Sequence, residues 1–353
     1  IISRKSNNRK FIMATYKEIK GTGIQFLDAD PANPLIGQVW YNTTSSTLKG
    51  TTAGVGTWAS GGAMNGAART GIGSWGTQTA CLAASGESGP PWTSPARVEL
   101  YDGTSWTETT DISTGRYLGA SLGQTSTAAL YASGYDPGGY NAAVEQWNGS
   151  SWSEKAEMNN PSYSLSGGVG TSTSGLAVGG NRNPAVPPSP GASSSLVESW
   201  NGSGWTNIAE LNIGRAGTAA TGATNTAGLA VGGYTPASYS PRFTDKVESW
   251  NGSAWSEITE INTGRSGGRA SGVQTLALFF GGENPAPNGA RTEYWDGSSW
   301  TELGDMAVTR NGNVSGTSQS ANSALAFGSP VASGTTTEEW IKTDFTTKTF
   351  TSS

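Results

Sequence analysis

The sequence contains no histidine, a single cysteine (Cys81) and only 13% charged residues, against about a quarter in an average globular chain. Without an imidazole there is no Ser-His-Asp or Cys-His nucleophile system, and no histidine ligand for zinc, copper or haem. A lone cysteine excludes a disulfide framework or a cysteine-based metal site within the chain. No run approaches the roughly 18 consecutive apolar residues of a membrane span, and the N-terminus lacks the apolar core of a signal peptide, so membrane insertion is not expected. The net charge of −5, from 21 Lys+Arg and 26 Asp+Glu, supplies no clustered cationic face. Nucleic acid is therefore not an expected partner.

Glycine is the chief excess, with 51 of 353 residues, about twice average usage, yet no Gly-x-y period is present and collagen is excluded. Together with the 35% hydrophobic residues this falls in the ordinary globular range. The apolar area is concentrated in 14 tryptophans rather than in aliphatic residues. The first twelve residues, IISRKSNNRKFI, are basic and precede Met13. Met13 reads as the natural start, and residues 1–12 as a basic arm or upstream extension.

A core of the form ExWNGSxW recurs along the chain. It stands as Glu145, Trp147, Asn148, Gly149, Trp152; as Glu198, Trp200, Asn201, Gly202, Trp205; as Glu248, Trp250, Asn251, Gly252, Trp255; and as Glu293, Trp295, Asp296, Gly297, Trp300. An earlier copy carries Glu99, Tyr101, Asp102, Gly103 and Trp106, and a last one Glu338 and Trp340 with Phe345 at the second aromatic position. The final aromatics, at 106, 152, 205, 255, 300 and 345, are spaced by 46, 53, 50, 45 and 45. Helical solenoids would show apolar spacings of three and four, which are absent. Ahead of each core, Arg69, Arg116, Arg215, Arg265 and Arg310 open Gly/Ser/Thr-rich stretches; the third unit has Ser162 instead. Each stretch leads into a short apolar run, such as GLAVGG ending at Gly180 and at Gly233 or ALFFGG at Gly282.

Each unit thus reads as four short strands. The small-residue stretch suits a crowded position near a central axis, and the apolar run ends on glycines that permit close approach. Strands three and four begin at VExW and at the second Trp. The Asn-Gly or Asp-Gly between them predicts a type I′ hairpin turn. The flanking aromatics are expected to pack between neighbouring sheets, burying roughly 150–250 Å² each.

An arginine-led stretch, an apolar strand ending in Gly-Gly, a Glu-x-aromatic strand and a Trp at a period near 50 together resemble the Kelch-type β-propeller. The resemblance covers about residues 62–350 in six units. It implies an all-β, six-bladed Kelch-like propeller over residues 62–353, with Trp106, Trp147, Trp152, Trp200, Trp205, Trp250, Trp255, Trp295, Trp300 and Trp340 as structural repeat positions. Trp40 and Trp58 look like the outer half of a further unit, making seven blades the alternative. Residues 13–61 form a separate segment with a Pro-rich turn and one hairpin. Its GQVWYNTTSSTLKG resembles leader segments of bacteriophage virion proteins, which implies anchoring to other virion proteins.

The NGS triplets at Asn148, Asn201 and Asn251, like Asn42 and Asn313, match the glycosylation pattern. For the repeated three, a turn role is preferred, because Asp replaces Asn in two units and cannot be glycosylated. The sialidase Asp box, which the GxxW spacing resembles, needs an acid where Trp147, Trp200, Trp250 and Trp295 stand. Copper oxidases built on Kelch-type propellers need histidine. The repeated arginines could form a ring for carboxylates or sulfates; the preferred reading pairs them with Glu99, Glu145, Glu198, Glu248, Glu293 and Glu338, because repetition in every unit argues for architecture.

The loops between strands two and three break the symmetry and should cluster on one face. They carry the candidate ligand-binding residues Trp92, Tyr135, Asp136, Tyr140, Arg182, Tyr234, Tyr239, Arg242 and Phe243, with Asp245 and Glu283 as further hydrogen-bonding groups. Aromatic platforms with polar neighbours suit sugars; covering the disc edge or meeting a neighbouring virion protein is the plainer role. The expectation is a non-enzymatic virion protein, of tail, fibre or head-decoration type, made in the host cytoplasm, without cofactor or metal. Its propeller face would bind a host-surface glycan or another virion protein. A polysaccharide-active enzyme is the alternative and would need paired carboxylates roughly 5–10 Å apart. An intracellular Kelch-type adaptor would need a partner domain, for which only about 50 residues remain outside the propeller.

Overall fold

The computed structural model describes residues 24–31, 38–182, 193–236, 240–284, 289–310, 315–316, 320–329, 334–342 and 345–350. Residues 1–12, Met13, Tyr239 and Asn313 lie outside them. The described fold is all-β and dominated by four-stranded antiparallel sheets, as a propeller-like architecture requires. Two compact units form: Gly56–Lys342, and the described residues on either side of it.

Within Gly56–Lys342 the described residues build six such sheets in chain order. The first comprises Gly73–Thr77, Ala80–Ala84, Val98–Tyr101 and Trp106–Thr109. The second comprises Ala120–Thr125, Ala128–Ala132, Val144–Trp147 and Trp152–Lys155. The third comprises Val169–Thr171, Ser174–Val178, Val197–Trp200 and Trp205–Asn207. The fourth comprises Thr218–Thr224, Ala227–Val231, Val247–Trp250 and Trp255–Ile258, with Leu165–Gly167 added in parallel to its first strand. The fifth comprises Arg269–Val273, Leu276–Phe280, Thr292–Trp295 and Trp300–Glu302. The sixth takes Ser315–Gly316, Ser323–Phe327 and Thr337–Lys342 from the end of the unit and its fourth strand, Gly56–Gly61, from the beginning.

That last strand corrects the sequence reading. Trp58, not Phe345, stands opposite Trp340, with ring centroids 5.3 Å apart, the same spacing as Trp147 to Trp152 and Trp295 to Trp300. Phe345 instead opens a strand paired with Thr47–Ala53. Trp40 and Trp58 fall in different sheets, so they do not make the outer half of a seventh unit. The larger compact unit spans Gly56–Lys342, and Phe345–Phe350 belongs to the other.

Most of the repeat tryptophans are fixed by indole hydrogen bonds as well as burial; among the described residues the Trp255 indole N–H has no partner. The leading Trp donates to a carbonyl in the turn between strands one and two: Trp147 to Ser126, Trp200 to Ser172, Trp250 to Asn225, Trp295 to Gln274 and Trp340 to Ala321. The second Trp reaches the preceding sheet or the link from it, as in Trp205 to Ala156, Trp58 to Thr292 and Trp106 to Thr337. Apolar clusters accordingly sit between sheets. Leu122, Leu130, Trp200 and Trp205 join the second and third, and Met64, Cys81, Trp106, Leu325 and Phe327 join the sixth and first.

The turn between strands three and four differs from the type I′ expectation. Trp250 pairs directly with Trp255, so four residues span the turn. Among described residues, Gly252 has φ of +93° and Asn251 is absent from the positive-φ set. Asn251 acts through its side chain, accepting from the backbone N–H of Ser253 at 2.9 Å and of Ala254 at 3.0 Å. Asp102 and Asp296 serve identically, and these backbone hydrogen bonds hold their carboxyls down at about 2. Asn251→Asp is therefore expected to change stability by less than about 0.5 kcal/mol, while Gly252→Ala loses about 1–2 kcal/mol to left-handed strain; chemical denaturation of both variants checks this.

In the N-terminal unit the expected hairpin is present as Val39–Asn42 with Thr47–Ala53. Asp30 organises it, accepting from the Trp40 indole at 3.0 Å, Asn42 Nδ2 at 2.7 Å and Lys49 Nζ at 2.7 Å. Asn42 is buried by this bonding, which removes its amide from the surface a glycosylation acceptor needs.

Candidate functional site

Charge and repetition place the arginines first. Arg116 and Arg215 donate to Glu145 and Glu248 at 2.7 Å, Arg310 to Glu338 at 3.2 Å, and Arg69 and Arg265 pair with Glu99 and Glu293. All ten side chains are buried, and burial lowers the guanidinium pKa of Arg69, Arg265 and Arg310. Each glutamate also caps backbone N–H groups, as Glu248 does for Asn212 at 2.8 Å. The arginines are thus struts between strand three and the segment leading into strand one, and their charge is already compensated. In the third unit, where Ser162 replaces arginine, Asn159 and Asn160 supply four N–H donors to Glu198 instead.

The residue after each strut pairs with the loop between strands two and three. Thr70 bridges to Glu87, Tyr117 to Tyr135, Ala216 to Tyr234 and Ser266 to Glu283, and Tyr163 pairs with Asn181. Neighbouring loops are stitched further by Gly134 N–H to Ser162 O and Ser193 Oγ to Tyr234 O, both 2.9 Å. The loops therefore share one end of the sheets.

On that end four tyrosines converge. Tyr135 lies 5.7 Å from Tyr117, 5.6 Å from Tyr140 and 5.2 Å from Tyr163, and Tyr140 lies 5.3 Å from Tyr163, all between ring centroids and tilted or edge-on. All four rings are half-buried. Burial and then the neighbouring Glu87 carboxylate raise the Tyr117 phenol, and burial raises Tyr140, so these two phenols stay neutral. Asn181 Nδ2 donates to the Tyr163 hydroxyl at 3.2 Å; the Tyr135 and Tyr140 hydroxyls bond to no described residue. Tyr117 and Tyr163 were missed in the sequence reading. The signal was available: both directly follow the strut position, where other units carry Thr70, Ala216 and Ser266.

The other candidates divide. Trp92 is 62% exposed at a loop tip, and Arg242 lies 4.4 Å over the Tyr234 ring, which meets Phe243 edge-on at 5.5 Å. Asp136 uses both oxygens on its own loop, accepting from Gly138 N–H and Asn141 Nδ2 at 2.6 Å. Arg182 is a correction: it is buried at 7% exposure and donates to Asn160 Oδ1 at 2.6 Å, bracing the amide that replaced the strut.

Among the described residues no group of three Cys, Asp or Glu side chains is placed to hold a metal ion, and no helix is long and apolar enough to cross a membrane. What this end of the unit can do is stack flat, apolar faces and bond at their rims. No protein-family model and no curated protein matches the chain.

Proposed function

We propose that Gly56–Lys342 is a closed, six-bladed Kelch-like propeller acting as a non-enzymatic binding module, and that its loop end takes carbohydrate. Closure is supported by Gly56–Gly61 completing the last sheet and by Ser74 Oγ donating to Gly316 O at 2.8 Å, which links first strands from opposite ends of the unit. The observation that carries the binding reading is the cluster of Tyr117, Tyr135, Tyr140 and Tyr163. Pyranose rings present apolar C–H faces edged by hydroxyls, and half-exposed rings match the first part while the Tyr135 and Tyr140 hydroxyls, which bond to no described residue, match the second. Trp92 and the Tyr234–Arg242 stack extend the same chemistry along the loops. With the phage-like leader at residues 13–61, the reading places the protein on a virion, its leader held by other virion proteins and its loops turned to a host-surface glycan.

Glycan-array binding and host-cell adsorption test this directly. Tyr135→Ala with Tyr140→Ala is expected to weaken glycan binding at least tenfold, since each lost stacking face is worth about 0.5–1.5 kcal/mol beyond its area, without changing the melting temperature by more than a few degrees. Unchanged adsorption after removing 135–143 and 234–245 would sink the receptor-binding role.

A further inference from the structure

One buried charge has no place in the strut system. Arg269 begins the first strand of the fifth sheet and is 2% exposed. Its Nη2 donates at 3.1 Å to the carbonyl of Ser74, in the first strand of the first sheet. Its Nε has no hydrogen-bond partner among the described residues. A Cβ at Gly167 would come 3.2 Å from Nη1 and 2.6 Å from the Ala220 carbonyl oxygen, so only a glycine fits between that carbonyl and the guanidinium.

Every repeated strut arginine has a carboxylate; Arg269 has none among the described residues. The segments of Gly56–Lys342 outside them, 183–192, 237–239, 285–288, 311–314, 317–319 and 330–333, contain no Asp or Glu. Burial lowers the guanidinium to about 10, opposed among the described residues by the Cys81 thiol. Burial in turn pushes that thiol up to about 12, so it stays neutral at pH 7 and supplies no counter-charge. Arg269 nevertheless remains protonated there, and an uncompensated buried cation is strongly unfavourable.

We infer that Arg269 is a buried binding site for a small monovalent inorganic anion of the halide class, with chloride as its ordinary occupant. A single charge matches a single guanidinium, and a dianion would leave one charge unmatched because the strut arginines are already neutralised. Two percent exposure at a point bounded by the Ser74 carbonyl, Gly167 and the Ala220 carbonyl favours a small ion over an organic acid. The ion completes the charge balance among the first strands of the sheets, a structural role independent of the loop end and its ligand.

Crystals of the full chain grown in sodium bromide, with data collected at the bromine edge, are expected to show an anomalous peak within hydrogen-bonding distance of the Arg269 guanidinium. Water alone at that position, or bromide only at surface sites, overturns the proposal. In solution, replacing isethionate by chloride at constant ionic strength is expected to raise the melting temperature by about 2–4 °C. Arg269→Met should abolish that response, and a full response in this variant also overturns the proposal. Should Arg269→Met not fold, the bromide experiment on the unaltered chain decides alone.

Discussion

Glu248→Ala is expected to lower the unfolding free energy by about 3–5 kcal/mol, the loss measured when one partner of a buried ion pair is removed. The carboxylate accepts from Arg215 Nη2 at 2.7 Å, from the backbone N–H of Asn212 at 2.8 Å and from Asn212 Nδ2 at 2.8 Å. Removing it leaves the fully buried Arg215 guanidinium without its counter-charge, though still bonded to the Gly232 and Lys246 carbonyls, and leaves a backbone donor unsatisfied; water cannot replace the oxygens without opening the packing around Val247 and Trp250. The double variant Arg215→Met, Glu248→Leu should recover a large part of the loss, because hydrophobic replacement of both partners removes the desolvation penalty along with the attraction. Urea denaturation with an unchanged m-value would report stability rather than a changed ensemble. A single-variant loss below about 1 kcal/mol would show that the struts contribute little.

The second large effect concerns the strand that closes the sixth sheet. A chain beginning at Gly62 loses six paired positions opposite Thr337–Lys342. It uncovers Trp340, now 0% exposed, and removes the Trp58 indole from Thr292 Oγ1, a bond of 2.9 Å. Trp58→Ala alone is expected to cost about 2–4 kcal/mol, near the low end for tryptophan because the ring is half-buried. Loss of the whole strand is expected to abolish the cooperative transition, since an unpaired edge is then left at a buried junction. A chain beginning at Gly56 should melt like the full one. Equal melting curves for the two truncations would mean that the unit does not depend on this strand.

The parts of the fold legible in the sequence are those whose partners are close along the chain. Trp250 and Trp255 meet across one turn, and the ladder that pairs them is implied by ExWNGSxW itself. The arginine–glutamate struts were also readable, because both members repeat once per unit and the interior offers a buried arginine few other partners. Sequence reasoning failed at the join, assigning the sixth outer position to the local Phe345 when a strand from the far end of the unit supplies Trp58. It failed as well for Arg182, whose loop position suggested display while Asn160 drew it inside.

The candidate site shows the same division. Tyr135 and Tyr140 stood out as aromatics in a variable loop, but Tyr117 and Tyr163 joined them only once neighbouring units were placed side by side.

Composition and period by themselves determined an all-β chain of repeated four-strand units with tryptophan cores, and excluded histidine-dependent chemistry. Tertiary structure alone decided which strand completes the last sheet, which aromatics share a surface, and that Arg269 is buried with no carboxylate partner among the described residues. The physical reason is range: hairpin pairing and residue preference act over a few residues, whereas closure and charge balance depend on groups that only the folded chain brings together.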